Sequence, residues 1–266
     1  MDSQVIENPL NDWEDFENYE PPDPIKEGDG FADPPDWKKR KKESRKTKNK
    51  GGLATGSLPH GFMFQRVHYL RGYENFMRDV ARGKQNLDEL IDKIREYNLE
   101  RIRKYLNLGV EFMFFAGDLG TQDRLAISPD KFRHYFLPCY KDMFELCKNE
   151  GVIVYLHSDG HILEMIPDFV EAGLDIINPQ VRANGLESLE KIAKGNICID
   201  LDLDRQLFPY ASSNEIKEHI QKSVDTLNTK KGGLMLNAEI SPDIPLENIK
   251  TIIKTLESIG GPKPLL

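Results

Sequence analysis

Short apolar runs alternate with segments of helical period along most of this chain, and each run stops abruptly in polar residues. Residues 110–116 lead into Gly117-Asp118-Leu119-Gly120, and residues 152–156 lead into His157-Ser158-Asp159-Gly160. The pattern recurs at 174–177 before Asn178-Pro179-Gln180, at 197–199 before Asp200-Leu201-Asp202, and at 234–236 before Asn237-Ala238-Glu239. Unbroken apolar runs of this length suit strands covered on both faces, as in a parallel sheet. Right-handed crossovers then bring all the strand ends, and their polar residues, to one edge. The fold expected is α/β, a TIM-type (β/α)8 barrel. With residues 53–57 as a further strand, six strands can be counted where a closed barrel has eight. The barrel is therefore expected to lack its N-terminal strand or strands.

The intervening segments carry helix signals. Leu87, Leu90, Ile91, Ile94, Leu99 and Ile102 follow a helical repeat over 87–106. Ser128-Pro129-Asp130 places a cap before a first-turn proline, and that helix is expected to run to about residue 149. Further helices are expected at 73–82, 162–172, 186–193, 213–228 and 245–259. Residues 1–50 differ from the rest. They join an acidic, aromatic, proline-rich stretch to a run of lysine and arginine at 38–50, and are expected to be a polar, partly irregular surface segment. Residues 51–266 are expected to form the barrel domain.

Composition excludes some classes. A net charge of −8 and a pI near 5.4 argue against nucleic acid as a partner. No stretch is apolar for the length a membrane span needs, and no signal-peptide pattern opens the chain. Cys139, Cys147 and Cys198 have no Cys-x-x-Cys spacing. A cytoplasmic, reducing location is expected.

The strand ends carry the candidate chemistry. His157 and Asp159 are two residues apart and so share one face of their strand. Imidazole and carboxylate there suit Zn²⁺ ligation with a position left open, and Glu239 on the same rim is the candidate third ligand. The alternative is an imidazole–carboxylate hydrogen bond without metal. Asp118 is either a catalytic acid or base or a cap for the Asp-Leu-Gly turn. Asp200, Asp202 and Asp204 alternate, so one of them faces the site, and Asp202 is the candidate substrate contact. Gln180 suits hydrogen bonding to substrate. Of His60, Arg66, His68 and Arg71, most are expected on a helix surface and one in the mouth. Arg66 is the candidate anchor for an anionic group. Phe115 is the candidate pocket wall.

In these stretches the chain resembles the uroporphyrinogen decarboxylase superfamily. Gly117-Asp118-Leu119-Gly120 with Ile127-Ser128-Pro129, Leu156 to Gly160, Gly173 to Gln180, Pro242 to Ile249 and Arg71 to Phe76 fall in the family's order, over roughly residues 8–262. The resemblance implies a (β/α)8 barrel with its site at the C-terminal face. It also implies one of two chemistries: decarboxylation of porphyrinogen acetates, or methyl transfer involving a corrinoid, often with zinc. The decarboxylases' arginine-rich N-terminal segment has no match. Asn237-Ala238-Glu239 stands where they carry Gly-His-Gly. The thiol-methylating members resemble His-x-Cys where this chain has His157-x-Asp159, with a further cysteine near Ala238 that this chain lacks. The resemblance is nearest the O-demethylase-like branch. It implies a methyltransferase that moves a methyl group from a small methoxy or methylamine-type compound to a corrinoid-binding partner protein, with Zn²⁺ at the site. A homodimer is compatible with this reading. The alternatives are a decarboxylase of tetrapyrrole (porphyrin) biosynthesis and an inactive or truncated paralogue.

Overall fold

The computed structural model describes residues 7–28 and 34–260. The parts of the expected segments at 1–6, 29–33 and 261–266 lie outside the described residues. Six strands form one parallel sheet in chain order: β1 (Thr55–Ser57), β2 (Phe112–Ala116), β3 (Ile153–Ser158), β4 (Ile176–Pro179), β5 (Cys198–Asp202) and β6 (Leu234–Asn237). Each neighbouring pair is parallel. Among the described residues β1 and β6 do not pair, so the sheet is an open, singly wound arc of a barrel. The helices are α1 (Trp37–Asn49), α2 (Phe64–Arg71), α3 (Tyr73–Arg82), α4 (Gln85–Asn107), α5 (Pro129–Tyr135), α6 (Leu137–Asn149), α7 (Ile166–Glu171), α8 (Val181–Asn184), α9 (Leu186–Ile192), α10 (Ser213–Leu227) and α11 (Leu246–Ile259). No described helix is long and apolar enough to cross a membrane.

The period of two along each strand sorts the sheet into two faces. Met113, Phe115, Val154, Leu156, Ile177, Ile199 and Leu201 are fully or almost fully buried under the helices. Phe115 packs its ring 5.4 Å from Phe62 and 5.3 Å from Phe144, and Phe144 packs on Tyr140. Each such buried side chain contributes about 1.5–3 kcal/mol. This layer fixes the sheet against α4 and α6 and thereby aims the other face.

Three sequence expectations change. The helix expected from 129 to 149 is two, α5 and α6, which meet at Phe136. Pro138 in the first turn of α6 has no N–H to continue the earlier ladder. The basic stretch, expected to be irregular, forms α1. Asp36 caps it through Lys39 N, Trp37 packs edge-on against Tyr105 at 5.1 Å, and Arg40 lies over the same ring. Arg71, expected on a helix surface, is buried. It pairs with Asp79 at 2.8 Å and donates to the carbonyls of Leu10 and Asn11, so it ties the N-terminal segment to α2 and α3.

Candidate functional site

The sheet's other face carries the polar residues in rows set by the strand register. Phe114 pairs with Tyr155, Tyr155 with Ile176, and Ile176 with Cys198. One step toward the strand ends, Ala116 pairs with His157 and His157 with Asn178. The rim follows, with Gln180 bridged to Asp202 and Asp202 paired with Asn237. Aromatic rings thus floor a mouth whose walls become more acidic toward the edge. Tyr155 stacks on Phe114 at 5.0 Å and donates its hydroxyl to Asp200 at 2.8 Å.

His157 is oriented from below. Asn178 donates its amide N–H to the Asp200 carbonyl, which leaves Asn178 Oδ1 as the acceptor for His157 Nδ1–H. This assigns the proton of a neutral ring to Nδ1 and leaves Nε2 facing the mouth, 3.5 Å from Asp159 Oδ1. Burial opposes protonation of His157. Hydrogen bonds to Asp159 and Asn178, with the charges of Asp159 and Asp202, outweigh it and raise the pKa. The same contact lowers that of Asp159 against its own burial, helped by Arg205 and His60.

Asp118 sits across the mouth. Gln65 grips it twice, donating to Oδ2 at 3.0 Å and accepting from its backbone N–H at 2.9 Å. Oδ1 is buried and without a hydrogen-bond partner among the described residues, although His60 Nε2 lies 3.2 Å away. Ligand atoms of His60, Asp118 and His157 all fall within 4.8 Å of one another. Two imidazoles and a carboxylate at that spacing fit a divalent metal such as Zn²⁺, and the orphaned Asp118 oxygen is the atom a cation would satisfy.

The expected residues separate into groups. Asp118, Asp159, Gln180 and Asp202 line one cavity of about 170 Å³, together with Arg182, Asp204 and Arg205. Gln180 is held there by the N–H of Gly160 on its Oε1, at 2.9 Å. Glu239 reaches the rim, but its carboxylate is paired with Arg205, which also lies 3.7 Å from Asp159. Glu239 is therefore neutralised by a guanidinium, and the grouping that can hold a metal uses His60 and Asp118 in place of Glu239 and Asp159. Arg66 lines a different, mostly apolar cavity of about 320 Å³ with Tyr19, Phe62 and Tyr97. Phe115 does not line the mouth, because its parity on β2 sends it into the core. Asp202 is 5% exposed, and its Oδ1 has no hydrogen-bond partner among the described residues. Burial pushes its carboxyl up to about 6, against the pull of Arg205 and His157.

Gln65, Asn178 and Arg205 were not singled out from sequence, and His60 was named only in a group of four of which one was expected in the mouth. Asn178 was visible as a polar residue closing an apolar strand, and Arg205 as a cation following three alternating aspartates. Gln65 carried no signal, since its role depends on how the loop after β1 folds over β2.

The model of the uroporphyrinogen decarboxylase family matches residues 2–259, and the chain belongs to that family. Among solved structures it is similar to a methyltransferase from Methanosarcina mazei, with a TM-score of 0.62 and 16% identity over 83% of this chain and 64% of that one. It is also similar to dihydropteroate synthases from Vibrio fischeri (16% identity, 62% of this chain and 63% of that one) and Yersinia pestis (18%, 66% and 64%). Both have TM-scores of 0.40, too low to bear on the site. The chain spans less than two thirds of the length of these three proteins. No curated protein matches it.

Proposed function

We propose that the chain is a methyltransferase that moves a methyl group from a small methylated compound to a corrinoid carried by a partner protein. One observation carries the reading: ligand atoms of His60, Asp118 and His157 converge, and Asp118 also lines the acidic cavity. The family and the methyltransferase with a similar fold support it. A metal held by those three residues would act as a Lewis acid on the heteroatom that bears the methyl group. The protein's own work is to place that atom. Asn178 fixes the imidazole of His157, Gln65 fixes Asp118, and Gln180 with Asp202 supplies contacts on the far side. The uncovered rim leaves room for a bulky acceptor. The corrinoid supplies the methyl-accepting nucleophile when its carrier docks there.

Decarboxylation of a porphyrinogen is the competing reading. Its several acetates call for cations, and the cavity's guanidiniums, Arg182 and Arg205, are already paired with Asp204 and with Glu239. The acidic lining favours methyl transfer.

The purified protein is expected to carry about one divalent metal ion per chain by elemental analysis. Chelation, or His157→Ala, is expected to cut methyl transfer from a methylamine or methoxyarene to a reduced corrinoid by about a hundred-fold or more. Full transfer by metal-free protein would overturn the metal's role. Carbon dioxide released from uroporphyrinogen would favour the competing reading.

A further inference from the structure

The charges of the mouth do not balance, and the imbalance points at one atom group. Asp118, Asp159, Asp202 and Asp204 face Arg182 and Arg205 around the cavity. Arg182 is committed to Asp204 at 3.0 Å, and Arg205 to Glu239 with Asp159 at 3.7 Å. Asp118 has Gln65 and His60. Asp202 is left over: it is 95% buried, it lines the cavity, and Oδ1 lacks a hydrogen-bond partner among the described residues. A carboxylate removed from water costs several kcal/mol unless a cation or donor meets it.

We propose that Asp202 binds the N–H of a small protonated amine, so that the methyl donor is a methylated amine that arrives as its ammonium ion and gives up that proton to water before its lone pair can meet a metal, and not a neutral ether. The inference rests on the methyl-transfer reading only for the word donor; the binding site stands on the geometry. A volume of about 170 Å³ admits a few heavy atoms, well below the roughly 300–1,000 Å³ of drug-sized ligand sites. A second metal fits less well, because hard cations demand several oxygen ligands and the neighbouring carboxylates already hold guanidiniums.

Binding of trimethylammonium chloride, followed by calorimetry or ligand-observed NMR, tests this with the whole chain. Trimethylammonium is expected to bind, and tert-butanol, similar in size and neutral, to bind at least ten-fold more weakly. Asp202→Asn keeps the side chain's shape and is expected to weaken trimethylammonium at least ten-fold. Asp123→Asn, an exposed carboxylate paired with Arg124 outside the cavity's lining, is expected to leave it within two-fold. Equal losses in both variants, or unchanged binding in Asp202→Asn, would overturn the assignment. So would tetramethylammonium, which has no N–H, binding as tightly. Trimethylammonium held through Asp202 with no methyl transfer keeps this inference and sinks the proposed function. Methyl transfer from a methoxyarene with no trimethylammonium binding does the reverse.

Discussion

At the scale of single residues the mouth stores unfavourable charge, and Asp202 shows how much. Its carboxyl titrates at about 6 in the fold against an ordinary 3.8, because burial disfavours the anion. The folded state therefore holds its proton more tightly than the unfolded chain. Stability is greatest below the unfolded value and falls as the pH rises from about 4 through about 6. The charged groups acting on Asp202 are Arg205, His157, Asp159 and Glu239. Asp202→Asn removes the buried charge and is expected to stabilise the protein at pH 7–8 by about 1–3 kcal/mol, read as a Tm higher by a few degrees. The gain should shrink to nothing below about pH 4. A Tm difference that stays constant from pH 4 to pH 8 would contradict this origin. His157 has the opposite character: Asn178 and Asp159 support its charged form, so the imidazole is oriented without being stranded.

At the scale of elements, the loops after β2 and β3 hold the mouth in shape by touching. Gly160 has φ of +80°, and a Cβ there would lie 2.3 Å from the Gly120 carbonyl oxygen. A Cβ on Gly120 would lie 2.2 Å from the carbonyl oxygen of His161. Backbone meets backbone in both cases, so neither side chain can yield. Gly120→Ala or Gly160→Ala is expected to cost about 3 kcal/mol or more, measured by urea unfolding, and to displace Asp118 and Asp159 together. A loss under about 0.5 kcal/mol would show that the loops part easily. Much of this level was legible in sequence. The apolar runs and the polar residues ending them located β2 to β5 closely, and Tyr73–Arg82 has the bounds expected of it. The basic helix α1 was not legible. Like charges one turn apart oppose a helix, and what holds this one is Trp37 and Arg40 on Tyr105, a residue more than sixty positions along the chain.

At the scale of the whole molecule the open sheet matters most. A parallel sheet covered by helices on one face needs something on the other, and here the inner row is only partly covered. Phe112, Phe114, Ile153 and Ile176 are half-buried and Met235 is exposed. The β1 edge is three residues long and offers little to pair with, whereas β6 presents four. Unpaired strand edges beside apolar surface promote association. The chain is expected to self-associate as its concentration rises toward about 1 mM, seen by light scattering after size exclusion, and Met235→Lys to reduce the effect. A strictly monomeric protein over that range would show that the inner face is not adhesive.

The sequence by itself determined the class of fold, the order of the strands and the edge at which polar side chains gather. Those follow from local period and from the handedness of crossovers, which neighbouring residues carry. It also marked Asp118, His157, Asp159, Gln180 and Asp202 as rim residues. Only the tertiary structure decided who partners whom. Glu239 goes to Arg205, His60 joins Asp118 and His157, Phe115 turns into the core, and Asp202 Oδ1 is left without a hydrogen-bond partner among the described residues. Such pairings depend on distances between loops far apart in the chain, and no local pattern encodes a distance across the mouth.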